Sequence, residues 1–424
     1  MKSINMGKYI VQGGRKLKGS VTVSGSKNAA LPILCATILA KEPVILKNVP
    51  DIADIHAMVS ILKTIGTKVE FKDGVITVDP KNVKSTYVSN DGKHCMRASI
   101  LLLGPLLARF GKVEMEFPGG CILGKRPVDT HLSAFMGLGV QVVDDQKNIE
   151  LKVASKGLKG ADIVMSELSV TATENVIMAA VLAEGTSIIR LAAAEPHVQD
   201  LCNFLNSLGA KISGIGTHEL TIKGVKSLKG GQYSITGDYL EAGTFAIAAA
   251  LTNGEVEIKG IDPHHLDSFW QKFSELGVPY ELKKNSAIVK PHGKLKAITQ
   301  LRTAVHPSFP TDLQAPFAVL LTQADGKSKV FETLFDGRLN YLFELEKMGA
   351  KFEILNPHQA IISGKTKLKG VHISSWDIRA GAAMVLAALV AEGETEINNI
   401  GFIDRGYDNL EQKLKKLGAT IERK

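Results

Sequence analysis

A thiol set among glycines, prolines and cations is the first group in this sequence whose chemistry asks for an explanation. Residues Pro118-Gly119-Gly120-Cys121-Ile122-Leu123-Gly124-Lys125-Arg126-Pro127 carry three glycines and two prolines, a composition that suits a surface loop rather than a core. The charges of Lys125 and Arg126 favour the thiolate of Cys121 and therefore its reactivity. A loop that closes over a substrate can deliver an acid–base group in this way. An incidental exposed thiol is the alternative, and composition alone leaves both open.

Three further cations, Lys27, Arg97 and Arg379, stand where otherwise apolar stretches begin. If those stretches are helices, each cation sits at an N-terminus and opposes the helix dipole. A bound phosphate or carboxylate would reverse that penalty, because a helix N-terminus offers unpaired N–H groups to an anion. Asn28, Thr171 and Asp312 occupy the same places in sister stretches, with Asp238 and Asp377 close by. A plain capping role would account for Asn28, Thr171 and Asp312, but not for the cations.

The elements that must position these residues come from an internal repeat. An apolar residue followed by glycine recurs at Ile65-Gly66, Leu138-Gly139, Leu208-Gly209, Leu276-Gly277, Met348-Gly349 and Leu417-Gly418, roughly 70 residues apart. Glycine there fits a left-handed helix C-cap. Upstream of each pair, apolar residues fall at helical spacing, as in Ile55/Met58/Leu62/Ile65 and Leu266/Phe269/Phe273/Leu276. Two repeats break the template, with His131 and Arg338 in apolar slots; such local inconsistencies tend to mark sites. On pattern alone a satisfied core histidine is the better reading of His131.

Before each amphipathic helix lies a second one, apolar nearly all round, such as Ala242–Leu251 or Ala380–Ala391, and such helices are buried on every side. Each repeat therefore predicts strand, buried helix, strand, surface helix and a strand pair (βαβαββ). Six repeats predict an α/β protein of two domains, three repeats each, with sheets outside and buried helices inside. The polar helix starts are expected to converge on one interdomain cleft. The expected domains are 1–25 joined to 237–424, and 26–236, the latter carrying the Cys121 loop.

Composition sets the outer limits. The chain has 424 residues, 45% hydrophobic and 22% charged, with a net charge of +8. That length suffices for two cores, and the charge suits an acidic partner. The basic residues are scattered without interleaved aromatics, which argues against nucleic acid and for a phosphorylated small substrate. The longest apolar stretch, Ala98 to Phe110, is too short for a bilayer span of about 20 residues, and the start has no apolar core that would read as a signal peptide. Cys35, Cys95, Cys121 and Cys202 show neither disulfide nor zinc spacing. A cytoplasmic protein with reduced thiols, no membrane partner and no metal or other cofactor is expected; Cys35 and Cys202 should be inert core residues.

The segments Ser26-Lys27-Asn28-Ala29-Ala30-Leu31, Met96-Arg97-Ala98-Ser99-Ile100, Gly119-Gly120-Cys121 to Arg126-Pro127-Val128-Asp129, Phe309-Pro310-Thr311-Asp312 and Ile403-Asp404-Arg405-Gly406-Tyr407 resemble the motifs of the UDP-N-acetylglucosamine 1-carboxyvinyltransferase family of enolpyruvyl transferases. The likeness extends over essentially the whole chain. It implies a fold of two inside-out α/β barrels. It also implies transfer of the enolpyruvyl group of phosphoenolpyruvate to the 3′-hydroxyl of UDP-N-acetylglucosamine with release of phosphate, the first committed step of peptidoglycan synthesis.

The same resemblance implies roles. Lys27, Asn28, Arg126 and Arg405 would hold phosphoenolpyruvate. Arg97, Arg126, Pro127, Val128, Asp129, Thr130, Ser169, Val170, Asp312 and Leu334 would contact the UDP-sugar. Asp312 would take the hydroxyl proton, and Cys121 would protonate the enolpyruvyl methylene and be the residue that fosfomycin alkylates. Lys27 and Arg405 would also act in catalysis, and His131, Asp238, Arg338, Asp377 and Arg379 would support the site. One departure stands out: where many members have lysine before the third buried helix, this chain has Glu167. Three rivals follow: the sister enzyme that uses shikimate 3-phosphate, which lacks the loop cysteine; a duplicate transferase acting on another nucleotide; and a catalytically idle UDP-sugar-binding regulator.

Overall fold

The computed structural model describes residues 7–89, 96–116, 128–144, 148–153 and 157–424. Among them the chain divides into two compact units, one joining the residues up to Ser24 to Gly237–Lys424, the other running from Gly25 to Thr236. Each has its own apolar core.

The described strands form six four-stranded sheets, three per unit. In every sheet one edge strand runs parallel to its neighbour, as Asp162–Val164 does beside Thr186–Arg190, and the remaining pairs are antiparallel. A parallel pair needs a crossover, and in four of these six sheets a buried helix supplies it, as Val170–Ala180 does between Asp162–Val164 and Thr186–Arg190. Burial alternates along strands such as Glu255–Lys259, the period-2 mark of a sheet with one face on a core and the other on solvent. The long buried helices, for example Tyr239–Leu251 and Ile378–Val390, are covered on nearly every side, as their all-apolar composition requires.

The six repeat glycines all have φ between 81° and 103°, the left-handed conformation that closes a helix without a Cβ penalty. Every residue at the amphipathic template positions is buried, His131 and Arg338 included. In the second and fifth repeats the buried helix opens with 3₁₀ turns, Arg97–Leu102 and Thr311–Leu313. Pro105 and Pro316 then fall in the first α-turn, where a missing N–H costs little.

The sheets are not six consecutive pieces of chain. Gly231–Ser234 pairs with Val44–Lys47, while Lys18–Thr22 pairs with Glu255–Lys259. The first strands of repeats one and four are thus exchanged, and the exchange keeps each unit's sheets whole. Lys8–Gln12 lies between Glu394–Asn398 and Thr420–Arg423, so the amino-terminal strand completes the sixth sheet.

Candidate active site

The polar residues expected where the apolar stretches begin do lie at helix starts: Lys27, Arg97, Val170, Tyr239, Thr311 and Ile378 are the first residues of their helical or 3₁₀ segments. The residues that cap them differ from the capping alternative. Asp238 accepts from the N–H groups of Leu240 and Glu241, Asp377 from those of Arg379 and Ala380, and the Ser26 hydroxyl from that of Ala29. Asn28, Thr171 and Asp312 lie one residue or more inside and are not caps.

In the unit that contains Gly237–Lys424, Asp312 sits between two arginines. Arg338 Nη2 donates to Oδ1 at 2.6 Å and Arg379 Nε to Oδ2 at 3.0 Å. The Arg338 and Arg379 side chains are buried, whereas that of Asp312 is 27% exposed, so the carboxylate is the part of the triad that solvent reaches. Burial alone would raise the Asp312 pKa, but Arg379 and then Arg338 outweigh it and hold the carboxyl well below its ordinary value. Arg379 lies over the Tyr407 ring at 5.3 Å and Arg338 over Phe335 at 5.5 Å. An arginine in the apolar slot of the fifth repeat is explained by this pairing, since a buried cation is tolerated only when paired.

In the other unit, Lys27 Nζ is 2.9 Å from Asp54, a buried residue in the first turn of the neighbouring helix. The counter-charge that the sequence assigned to a bound anion is thus already supplied in part by the chain itself. The His131 ring is enclosed by neutral partners. Asn175 Nδ2 donates to its Nδ1 at 3.0 Å, and its Nε2 lies 3.1 Å from the Thr171 hydroxyl. Asn175 is oriented by the backbone, because its Oδ1 accepts from Gly104 N–H at 2.8 Å and its Nδ2 also donates to Ile100 C=O at 2.9 Å. With Nδ1 accepting, the proton belongs on Nε2 and is donated to Thr171. Burial, and then the charge of Arg97, lower the His131 pKa to about 3, so the ring is neutral.

This contact also explains a glycine. A Cβ on Gly104 would lie 2.2 Å from the Asn175 carbonyl oxygen, so only glycine lets the two buried helices approach closely enough for Asn175 to bridge them.

The remaining predicted residues fall as follows. Thr130 is buried and donates to Glu167 Oε1 at 3.0 Å, while Ser166 donates to Thr130 at 3.1 Å. The one acidic departure from the family pattern therefore touches a residue assigned to the sugar nucleotide. Val128 is buried, Asp129 exposed, and Ser169 and Val170 half-buried at the start of the third buried helix. Leu334 is 40% exposed, with its N–H donated to Glu332. Asn28 and Arg97 are half-buried, as is Arg405, which ends the 3₁₀ segment Ile400–Arg405. Cys121, Arg126 and Pro127 lie outside the described residues. Cys35 and Cys202 are buried and free, and burial followed by the charge of Glu174 raises both thiols, which fits the inert reading.

Asn175, Asp54 and Glu332 were missed from the sequence. Asn175, next to Glu174 in the buried helix Val170–Ala180, could have been flagged as a polar side chain in a mostly apolar segment; Asp54 and Glu332 gave no comparable signal.

The chain matches the family model described as EPSP synthase (3-phosphoshikimate 1-carboxyvinyltransferase) over residues 11–414. It is 44% identical over 425 residues to the UDP-N-acetylglucosamine 1-carboxyvinyltransferase of Borreliella burgdorferi, covering 99% of each chain. It is 46% identical over 418 residues to the protein of that name from Proteus mirabilis, again covering 99% of each. The chain belongs to the UDP-N-acetylglucosamine 1-carboxyvinyltransferase family. It is thus an enolpyruvyl transferase by descent, as its motifs implied. Solved structures agree on the fold. The enolpyruvyl transferase NikO from Streptomyces tendae superposes with a TM-score of 0.87 at 23% identity, covering 98% of this chain and 99% of that one. EPSP synthase from Acinetobacter baumannii gives 0.75 at 18% identity, covering 98% and 100%.

Proposed function

We propose that this transferase moves the enolpyruvyl group of phosphoenolpyruvate to the 3′-hydroxyl of UDP-N-acetylglucosamine, releasing phosphate, as the first committed step of peptidoglycan synthesis in the cytoplasm. Identity of 43–46% to curated relatives over 98–99% of the chain carries the reading. Retention of Lys27, Asn28, Arg97, Cys121, Arg126, Asp312 and Arg405 supports it.

The reaction needs an acid and a base on opposite partners, since C3 of phosphoenolpyruvate gains a proton while the sugar oxygen attacks C2. Cys121 is assigned as the acid and Asp312 as the base. Lys27, Asn28, Arg126 and Arg405 are assigned to the phosphate and carboxylate, where positive charge stabilises the tetrahedral adduct. The geometry adds one requirement. A carboxylate shared by two guanidiniums is a weak base, so proton transfer to Asp312 calls for the pair with Arg338 or Arg379 to loosen as the sugar binds.

Phosphate release from phosphoenolpyruvate, with and without UDP-N-acetylglucosamine, tests the reading. Release that depends on this sugar nucleotide is expected. Release driven by shikimate 3-phosphate or by UMP instead would overturn it in favour of a sister activity. A Cys121→Asp variant is expected to keep turnover and escape fosfomycin; full sensitivity in that variant would remove Cys121 from its assigned role.

A further inference from the structure

Glu332 follows the strand Gly326–Phe331 and is fully buried, yet nothing in the proposed chemistry uses it. Its two carboxylate oxygens are divided between two segments. The Thr311 hydroxyl donates to Oε2 at 2.8 Å, and the Leu334 N–H donates to Oε1 at 2.9 Å. Thr311 adjoins Asp312 and opens the fifth buried helix; Leu334 lies on the loop that leads to Arg338. The carboxylate itself is fixed at its backbone, whose N–H donates to His358 C=O at 2.8 Å and whose C=O lies 3.1 Å from His358 Nδ1. The next residue is pinned as well: Thr333 N–H donates to the Thr303 hydroxyl at 3.1 Å, and the Thr333 hydroxyl to Thr303 C=O at 2.6 Å. A rigid acceptor thus ties the segment of the assigned base to the backbone of an assigned sugar-nucleotide contact.

We propose that Glu332 is a positioning residue for the transfer reaction, setting Asp312 through Thr311 and the UDP-sugar loop through Leu334. The inference rests on the proposed function for its kinetic consequences, but not for the tie itself. Two hydrogen bonds accepted by one buried carboxylate, each part-buried, are a costly way to hold a chain if packing alone would do, because removing either donor leaves a buried acceptor oxygen unmatched. A displacement of about 1 Å at a catalytic group can cost roughly 10²-fold in rate, so a shared anchor for base and substrate contact has a clear use.

Four variants separate positioning from mere stability. Glu332→Ala is expected to lower kcat by roughly 10–10²-fold and to raise KM for UDP-N-acetylglucosamine about fivefold to tenfold, with KM for phosphoenolpyruvate moving less than about twofold. Glu332→Gln should recover most of the loss, because its amide oxygen can accept from Leu334 and its NH₂ can donate to the Thr311 hydroxyl. Thr311→Val keeps the side-chain shape and should lower kcat about tenfold while sparing KM. The double variant Thr311→Val, Glu332→Gln should lose the rescue, since the amide NH₂ then faces a methyl group. If Glu332→Ala does not fold, Thr311→Val still decides the point: kinetics within about twofold of wild type overturn the proposal. Hydrogen exchange at the Leu334 amide reads the tie independently of turnover. It should be fast in Glu332→Ala and slow again in Glu332→Gln, and equal protection in wild type and Glu332→Ala overturns the proposal even if the protein transfers nothing. Wild-type protein that releases no phosphate would overturn the parent function instead, leaving the exchange result to judge Glu332.

Discussion

At the start of the fifth buried helix stands Asp312, and at the corresponding place in the second repeat stands Arg97. Around Asp312 the polar groups are ionic, with two buried guanidiniums on one carboxylate. Around His131, which feels the charge of Arg97, the described hydrogen-bond partners are neutral: Asn175 and Thr171. The plan is related in both: His131 on the surface helix Asp129–Gly137, and Arg338 in the turn just before the surface helix Tyr341–Lys347, reach the first turns of buried helices. What the fold demands is that buried polar groups be matched, and either an ion triad or a neutral network meets that demand. Charge at the helix starts is therefore free to be chosen for chemistry.

The largest effect should follow from removing the carboxylate. Asp312→Ala is expected to lower turnover by roughly 10²–10⁴-fold, the worth of a positioned base, measured as phosphate release on folded protein. A fall of less than about tenfold would take Asp312 out of the proton transfer and make the triad a structural device like its neutral counterpart. On the neutral side the loss should appear in stability. Asn175→Ala strips partners from Gly104, Ile100 and His131 and is expected to cost about 3 kcal/mol, seen as a lower urea midpoint. A midpoint unchanged from wild type would mean the network contributes no net stability.

Acid should reach the two places at different pH. His131 is depressed from 6.5 to about 3 in the folded chain, so below pH 6.5 the unfolded state binds the extra proton. Stability should then fall by about 1.4 kcal/mol per pH unit down to about pH 3. Asp312 is also depressed, but its unfolded value is near 3.8, so its contribution is lost only below that. His131→Gln should remove the loss between pH 6.5 and 4 while leaving the steeper acid unfolding below it. A wild-type slope surviving in His131→Gln would assign the effect elsewhere. The smallest effect is expected at the caps: Asp377→Ala, which loses two N–H contacts beside Arg379, should cost about 1 kcal/mol. A loss equal to that of Asn175→Ala would show that the cap also supports the ionic triad.

Much of this was legible in the order of residues. Glycine at Gly66, Gly139, Gly209, Gly277, Gly349 and Gly418 announced left-handed helix ends, and apolar periods announced two kinds of helix, because both signals are local. Polar residues at the beginnings of apolar stretches marked Arg97, Asp312 and Arg379 for the same reason. The exchange of Lys18–Thr22 with Gly231–Ser234 was not legible: a strand of four or five residues chooses its neighbour through tertiary contacts, and its sequence does not name that neighbour. Asp54 and Glu332 were hidden in the same way, as ordinary acids in a surface helix and after a strand until Lys27, Thr311 and Leu334 are brought to them. His131 was ambiguous for a physical reason, since a buried neutral histidine can both fill an apolar slot and hold an adjacent helix start in place.

The amino-terminal strands have a consequence for synthesis. The unit from Gly25 to Thr236 holds every strand of its three sheets in one uninterrupted stretch and can close as soon as it leaves the ribosome. Lys18–Thr22 must wait for Glu255–Lys259, on the order of 10–50 s at ordinary translation rates, and Lys8–Gln12 waits longer still for Glu394–Asn398. These two strands are made before the Gly25–Thr236 unit yet dock after it, and for that interval their edges stay unpaired.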